Sequence, residues 1–392
     1  MPDPPLVIDD DRYSRLRLIA WWDQEKLAQA RVLVVGAGAL GNEVLKNLAL
    51  MGIGHIHIVD FDEIEASNLT RSVLFRQQDC GRAKAEAAAT ALHDLNPDVQ
   101  VHALHANVLT DLGLGLVAEM DVVIGCLDNR EARLWVNRMC WKTGTPWIDG
   151  GIQEINGVLK VFVPPESACY ECAMTENDYR LINLRYSCPL LRHEDIQAGK
   201  VPTAPTISSI IAGMQTQEAL KLIHDMPVES GKIMVLNGVT NQFYKTEIQF
   251  REDCLSHETF PAADQADLSA AEHRVSDLFD WAQDSYGGNE WSLVLDRDFV
   301  VSMVCHGCDQ RHEILQTLAR VGHKQAICEG CGQIMQAERV HRIRSQDELV
   351  QKRLAEVGIP PFDIVRLSRE GEDRFVLLAG DRSDALMGSA GR

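Results

Sequence analysis

The sequence has no apolar run long enough to cross a bilayer, which argues against a membrane-spanning protein. It does not begin with a basic stretch followed by an apolar one, so no secretory signal is visible and the expected compartment is the cytoplasm. Positive charge is scarce: 38 Lys and Arg stand against 57 Asp and Glu, a net charge of −19, which would repel a polyanion and argues against nucleic acid as the main partner. No low-complexity tract or internal repeat stands out. What remains is an ordinary folded composition, 45% apolar and 24% charged, over 392 residues, long enough for two or three domains.

The chain is organised around residues 31–84. RVLVV reads as a strand, GAGALG as a glycine-rich turn opening a helix, and HIHIVD as a second strand. Gly36, Gly38 and Gly41 have G-x-G-x-x-G spacing, which allows a tight turn, close approach of backbone to phosphate, and close helix–strand packing. Unpaired N–H groups and the helix dipole favour an anion at such a turn. Further strands (VQVHALH, DVVIGCLDN) alternate with helices, one rich in alanine and one at about 129–143, and predict a doubly wound Rossmann-like α/β sheet. Near TPWIDGG and GVLKVFVP the pairing turns hairpin-like. Residues 169–205 lack core periodicity and read as a long surface crossing. The expected division is 1–257 for the nucleotide-binding domain, 258–274 for a linker, and 275–392 for a small C-terminal α+β domain.

Asp60, about 20 residues past the glycines, fits a ribose contact, which alone would suggest a nicotinamide-dependent dehydrogenase. That reading gives no reason for the cluster DFDEIEASNLTR with Lys84 beyond it. Asn68, Arg71 and Lys84 are donors suited to a triphosphate under attack, where fixed cations offset developing charge. Asp128 with Asp62 could hold Mg²⁺, a hard cation. Asp128 also stands three residues before Glu131, the spacing of a helix capping box, and both roles can coexist. Arg12, Arg15 and Arg17 could reach phosphates or merely solvate the surface.

Eleven cysteines in a cytosolic setting favour metal or thiol chemistry over disulfides. Cys305-x-x-Cys308 and Cys328-x-x-Cys331, separated by 19 residues, have the spacing of a zinc ribbon. Cys80, Cys126 and Cys140 read as packing residues.

GAGALG, DFDEIEASNLTR, GRAKAEAA, LNP, CLDN, IDGG and CYEC, in this order over about residues 10–257, resemble the ubiquitin-activating enzyme superfamily, including the sulfur-carrier adenylyltransferases of molybdopterin and thiamine synthesis. The resemblance implies ATP- and Mg²⁺-dependent adenylation of the C-terminal glycine of a ubiquitin-like protein. It implies ribose at Asp60, phosphates at Asn68, Arg71 and Lys84, metal at Asp128, and in RYSR an Arg15 that reaches ATP from the other subunit of a homodimer. It also implies a first zinc site pairing Cys169 and Cys172 with a second pair that here reads Cys254-x-x-His257, so that two Zn²⁺ are expected per chain. Ala39 stands where relatives often have glycine, and SNLTRS replaces the commoner SNLQRQ, which weakens the expectation of a phosphate contact at Ser72.

Cys188, in RYSCPLL near Arg185 and Arg192, is the candidate thioester cysteine, its thiolate favoured by those cations. A buried structural thiol is the alternative. The leading expectation is therefore a modifier-activating enzyme that passes its acyl group to a conjugating enzyme, the C-terminal domain favouring that task. The alternatives are a sulfur-carrier adenylyltransferase, a non-enzymatic nucleotide-binding scaffold, a dehydrogenase, and a transfer RNA-modifying relative.

Overall fold

Strand β1 (Arg31–Val35) is an apolar run buried at nearly every position, as expected of a central parallel strand. A computed structural model describes residues 11–187 and 202–387. Around β1 lie β2 (His55–Val59), β3 (Gln100–Leu104), β4 (Val122–Gly125) and β5 (Trp147–Gln153), in the spatial order β3-β2-β1-β4-β5, all parallel. The sheet then continues antiparallel through β6 (Asn156–Phe162), β7 (Lys232–Asn237) and β8 (Gln242–Glu247). This is the expected doubly wound architecture with its turn to hairpin pairing.

The helices are α1 (Gln24–Gln29), α2 (Ala39–Met51), α3 (Lys84–Leu95), α4 (Leu114–Ala118), α5 (Arg130–Thr143), α6 (Glu176–Ser187) and α7 (Pro205–Ile223). One core lies between the sheet and α2, α3 and α7; a second lies on the opposite face with α4 and α5. Chain order reverses direction between β1 and β4, so a crevice opens at the carboxyl ends of these strands, where ligands of such sheets bind. The stretch expected to be a surface crossing contains α6. Its Tyr179 and Ile182 pack against the α5-side core, a contact too sparse to show as periodicity.

A second sheet has the order β11-β10-β13-β14-β9, with β12 also pairing β10. Its strands are β9 (Asp264–Ala266), β10 (Ser292–Val304), β11 (Arg311–Thr317), β12 (Gln336–Arg344), β13 (Ile364–Arg369) and β14 (Glu372–Leu378). Helix α8 (Val275–Tyr286) packs on it, and α9 (Arg382–Met387) ends the described chain. The stretch read as a linker supplies β9, and its Ala266, Leu268 and Ala270 are buried in the second core. A three-residue strand carries too little alternation to read from sequence.

The two sheets are joined by close backbone contact. Gly115 N–H donates to the Phe362 carbonyl at 2.9 Å, and the Phe362 side chain is buried in the first domain's core. A Cβ at Gly113 or Gly115 would lie 2.3 or 2.4 Å from the backbone oxygens of Pro361 or Phe362, so only glycine permits this approach.

Candidate active site

The glycine turn is built as its spacing predicts. Gly36 has φ +98°, and a Cβ there would stand 2.5 Å from the Cys126 carbonyl oxygen. A Cβ on Gly41 would stand 2.0 Å from the Gly36 oxygen, so this glycine lets α2 pack onto the turn. Gly38 differs: a Cβ there meets nothing within 4 Å, and the space it faces is open to a ligand. Gly38 is also the N-cap of α2 and offers no side-chain acceptor to the helix's first N–H groups. Asp60, at the end of β2, accepts from Ala37 N–H at 2.6 Å and from Asp62 N–H at 2.8 Å. Burial pushes its carboxyl up, while Lys84 and these donors pull the other way.

Lys84 begins α3, a second helix with no side-chain N-cap, and its ammonium donates to Asp62 Oδ2 at 2.7 Å. Lys84 is largely enclosed, with 11% of its side chain exposed, whereas Asp62 is half exposed. Asn68 Oδ1 accepts from Glu65 N–H at 3.0 Å and Arg71 donates to the Ser67 carbonyl at 3.0 Å, so both are tied to the short helical turn Ala66–Asn68. Ser72 Oγ is buried with no hydrogen-bond partner among the described residues. Asp128 is exposed at the carboxyl end of β4. The capping role suggested for it belongs to its neighbour: Asn129 Oδ1 accepts from Ala132 N–H at 2.8 Å and is the N-cap of α5. The Asp128 carboxylate is thereby left outside the helix cap.

These groups fit a nucleoside triphosphate by the chemistry of the donor set: an open cradle at Gly38, two helix N-termini without side-chain caps, an enclosed lysine and the exposed Asp128 carboxylate, which accepts only from Asn129 Nδ2 at 3.2 Å among the described residues. Arg15 lies elsewhere. Arg12 donates to the Leu95 carbonyl, and Tyr13 Oη donates to Asp98 at 3.2 Å and accepts from Asn96. Asn96 and Asp98 precede β3, so this segment is fixed at the amino ends of the strands, opposite the glycine turn.

A buried ionic group behind the turn has no counterpart in the sequence reading. Asp149, fully buried in β5, is flanked by Lys160 Nζ at 3.0 Å and Arg133 Nε at 3.3 Å. Arg133 also donates to the Leu127 and Gly150 carbonyls, bracing the loop that carries Asp128. Gln215 of α7 donates to the Gly125 carbonyl at 2.9 Å. The motif IDGG contains Asp149, but the carboxylate's two partners come from two other elements, α5 and β6. The half-buried Cys126 thiol, beside this group, is pushed up by burial and by the Asp149 charge, which disfavours the thiolate.

Both expected sets of candidate metal ligands come together. Cys169, Cys172, Cys254 and His257 bring their ligand atoms within 4.8 Å of one another, with sulfur separations of 3.5 and 3.7 Å and 3.3 Å from Cys172 Sγ to His257 Nε2. Tetrahedral zinc with Zn–S of about 2.3 Å places sulfurs about 3.8 Å apart, so the set could hold zinc. His257 is stacked on Trp141 at 4.1 Å, which fixes the ring with Nε2 toward the sulfurs. Cys305, Cys308, Cys328 and Cys331 form the second set, with separations of 3.4 Å across the two pairs. Here the structure exposes a repeat that the sequence reading passed over: C-x-G-C-x-Q occurs at 305–310 and 328–333. In each copy the first cysteine N–H donates to the glutamine carbonyl at 2.8 Å, and the residue before the glutamine, Asp309 or Gly332, has positive φ. Cys188 lies outside the described residues.

A model of the ThiF family matches residues 11–256, stopping before β9. Ubiquitin-like modifier-activating enzyme 5 of Dictyostelium discoideum is 31% identical over 267 residues, covering 63% of this chain and 68% of that protein. Sulfur carrier protein ThiS adenylyltransferase of Escherichia coli (strain K12) is 32% identical over 247 residues, covering 62% of this chain and 93% of that protein. Among solved structures, Escherichia coli MccB with ATP superposes with a TM-score of 0.54 at 26% identity, over 64% of this chain and 75% of that one.

Proposed function

The chain belongs to the ThiF family, and from that premise we propose that it adenylates the C-terminal glycine of a ubiquitin-like protein, using ATP and Mg²⁺. The observation that carries this reading is Lys84, enclosed at the uncapped start of α3 beside the open cradle of Gly38. In this reading Asp60 holds the ribose, and Asn68, Arg71 and Lys84 the phosphates. Asp62 and Asp128 offer oxygen ligands to Mg²⁺, which supplies charge neutralisation at the phosphates. The modifier carboxylate attacks the α-phosphorus of ATP, an acyl phosphate bond forms and pyrophosphate leaves. Arg15, fixed at the far end of its own sheet, serves the site of a second copy in a homodimer.

The same reading continues with Cys188. Its thiolate attacks the acyl-adenylate carbonyl, a thioester forms, AMP leaves, and the acyl group passes to a conjugating enzyme. We assign the adenylation unit to residues up to 257 and the C-terminal unit, with its own zinc site, to those from Asp264 onward, since β9 is part of the second sheet. The cytoplasm is the compartment this chemistry implies. A sulfur-carrier adenylyltransferase, which stops at the acyl-adenylate, is supported by the equal likeness to the ThiS adenylyltransferase.

One measurement tests the adenylation that both readings share, and a second separates them. ATP–pyrophosphate exchange that depends on a ubiquitin-like protein with a C-terminal glycine supports adenylation, and its absence with every such protein sinks it. Intact-mass detection of a thiol-sensitive adduct that disappears in Cys188→Ala supports the thioester; an adduct unchanged in that variant removes Cys188 from the mechanism. Mixing Arg15→Ala with Lys84→Ala protein should restore exchange if Arg15 acts across a dimer.

A further inference from the structure

Arg297 sits in β10 of the second domain, yet most of its hydrogen bonds are made to the first. Its Nε donates to the Leu109 carbonyl at 3.1 Å and a terminal nitrogen donates to the Leu112 carbonyl at 2.8 Å. The other terminal nitrogen donates to Asp363 at 3.0 Å, and Asp363 in turn accepts from Leu114 N–H at 2.7 Å. The guanidinium lies over the Trp135 ring of α5 at 4.9 Å. It is buried, with 8% of its side chain exposed. A planar fork that satisfies two carbonyls and a carboxylate in one place fixes their relative positions, which an ammonium cannot do.

The segment that Arg297 grips runs from the carboxyl end of β3 to α4, and its near end is bonded to the proposed nucleotide site. Ala106 N–H donates to the Asp60 carbonyl at 3.3 Å, and His105 Nε2 lies 2.8 Å from the Phe61 carbonyl oxygen. Asn107 joins the two ends: its Oδ1 accepts from Leu109 N–H at 3.0 Å, and its own N–H donates to Asp111 at 2.9 Å. Asp111 is held from the second domain as well, by Arg320 between the two cysteine knuckles. A continuous path therefore runs from Asp60 through Ala106, Asn107 and Leu109 to Arg297, and from Asn107 through Asp111 to Arg320.

We propose that Arg297 is a positioning residue for the nucleotide site, so that the zinc-ribbon domain is a working part of ATP binding and not only an appended module. This rests on the nucleotide reading given above. Arg297 touches no phosphate; it acts by holding the 105–112 segment against Asp60. β10 runs directly into the ligand Cys305, so the metal cluster and Arg297 share one strand.

The test is direct ATP–Mg²⁺ binding by calorimetry on the full chain, with zinc content and the unfolding midpoint measured on each protein. Arg297→Lys keeps the charge opposite Asp363 but cannot span both carbonyls, and should weaken ATP binding by about 5- to 30-fold, the worth of one or two bonds from a charged donor. In an Asn107→Ala background the same change should cost less than about 2-fold, since the relay is already cut. Additive effects of the two changes would overturn the proposal, because a purely structural role needs no relay. Should Arg297→Lys fail to fold, Arg320→Ala, at a half-exposed site, is expected to weaken binding by about 2- to 5-fold; unchanged binding there would count against it. Absence of ATP binding by the unaltered protein would sink the nucleotide reading itself. Tight binding by both unaltered and altered proteins would sink only this inference.

Discussion

Lys84 and Asp62 are joined twice, by the ammonium on the carboxylate at 2.7 Å and by the Lys84 N–H on the Asp62 carbonyl at 2.9 Å. The backbone bond fixes where α3 starts, and the ion pair holds the ammonium at the mouth of the crevice until a stronger anion competes for it. Because Asp62 is half exposed, the pair itself contributes little to stability, on the order of 1 kcal/mol or less. Lys84→Ala should therefore lower modifier-dependent pyrophosphate exchange by about 100-fold or more, as expected for loss of a cation at developing charge, while moving the unfolding midpoint very little. Exchange at the unaltered rate would take Lys84 out of the phosphate site.

The glycines of one turn should respond in opposite ways. Gly41→Ala forces a Cβ to within 2.0 Å of a backbone oxygen and must displace α2 from the turn, costing about 2 kcal/mol or more of stability. Gly38→Ala meets no protein atom within 4 Å and should leave stability within about 0.5 kcal/mol. Its methyl instead occupies ligand space, so ATP affinity should fall by about 10-fold or more. Chemical denaturation and calorimetry on the two variants check this, and a Gly38→Ala protein that is destabilised but binds ATP normally would refute it.

Two zinc ions per chain are expected, one from each cluster, and they should be separable. His257→Ala should lose about one equivalent and keep the second, and His257→Cys should retain both, since a thiolate satisfies the same tetrahedral site. Cys305→Ser should lose the other equivalent. His257 Nδ1 is buried with no partner among the described residues, so the ring is held between Trp141 and Phe250 and by what its Nε2 faces. Metal analysis of the purified proteins decides it; a full two equivalents in His257→Ala would show that the ring is not a ligand.

What could be read in advance followed local chemistry. RVLVVGAGALG with Asp60 some 20 residues on carries its own turn, helix start and acid, and the Cys305–Cys331 set carries its own spacing. What could not be read was partner choice across the chain. Asp128 and Asn129 are both good caps by type, and only the backbone path decides that Asn129 takes the role. Asp149 draws Arg133 from α5 and Lys160 from β6, and Arg297 reaches 188 residues back to Leu109. Strand β9 is legible only once its parallel partner β14, over a hundred residues later, is in place.

His57 makes stability depend on pH in a defined window. It lies on the sheet face covered by α9, with its Nε2 3.2 Å from the Leu386 carbonyl oxygen, so Nε2 carries the proton and donates. His102 is stacked on it at 4.6 Å, and His55 and Arg31 lie nearby. Burial first, then His102, pushes its pKa down from 6.5 to about 3, with the Leu386 bond opposing. The unfolded chain therefore binds a proton that the folded chain refuses once the pH falls below about 6.5. Stability from this residue is complete above that pH and is lost as the pH falls toward about 3, at no more than about 1.4 kcal/mol per pH unit. Replacing His57 with Gln removes the titration. Between about pH 6.5 and pH 5 the unaltered protein should thus lose about 1.6 kcal/mol more unfolding free energy than the variant. Urea denaturation across that range measures the difference, and parallel pH profiles for the two proteins would mean that His57 titrates normally in the folded chain.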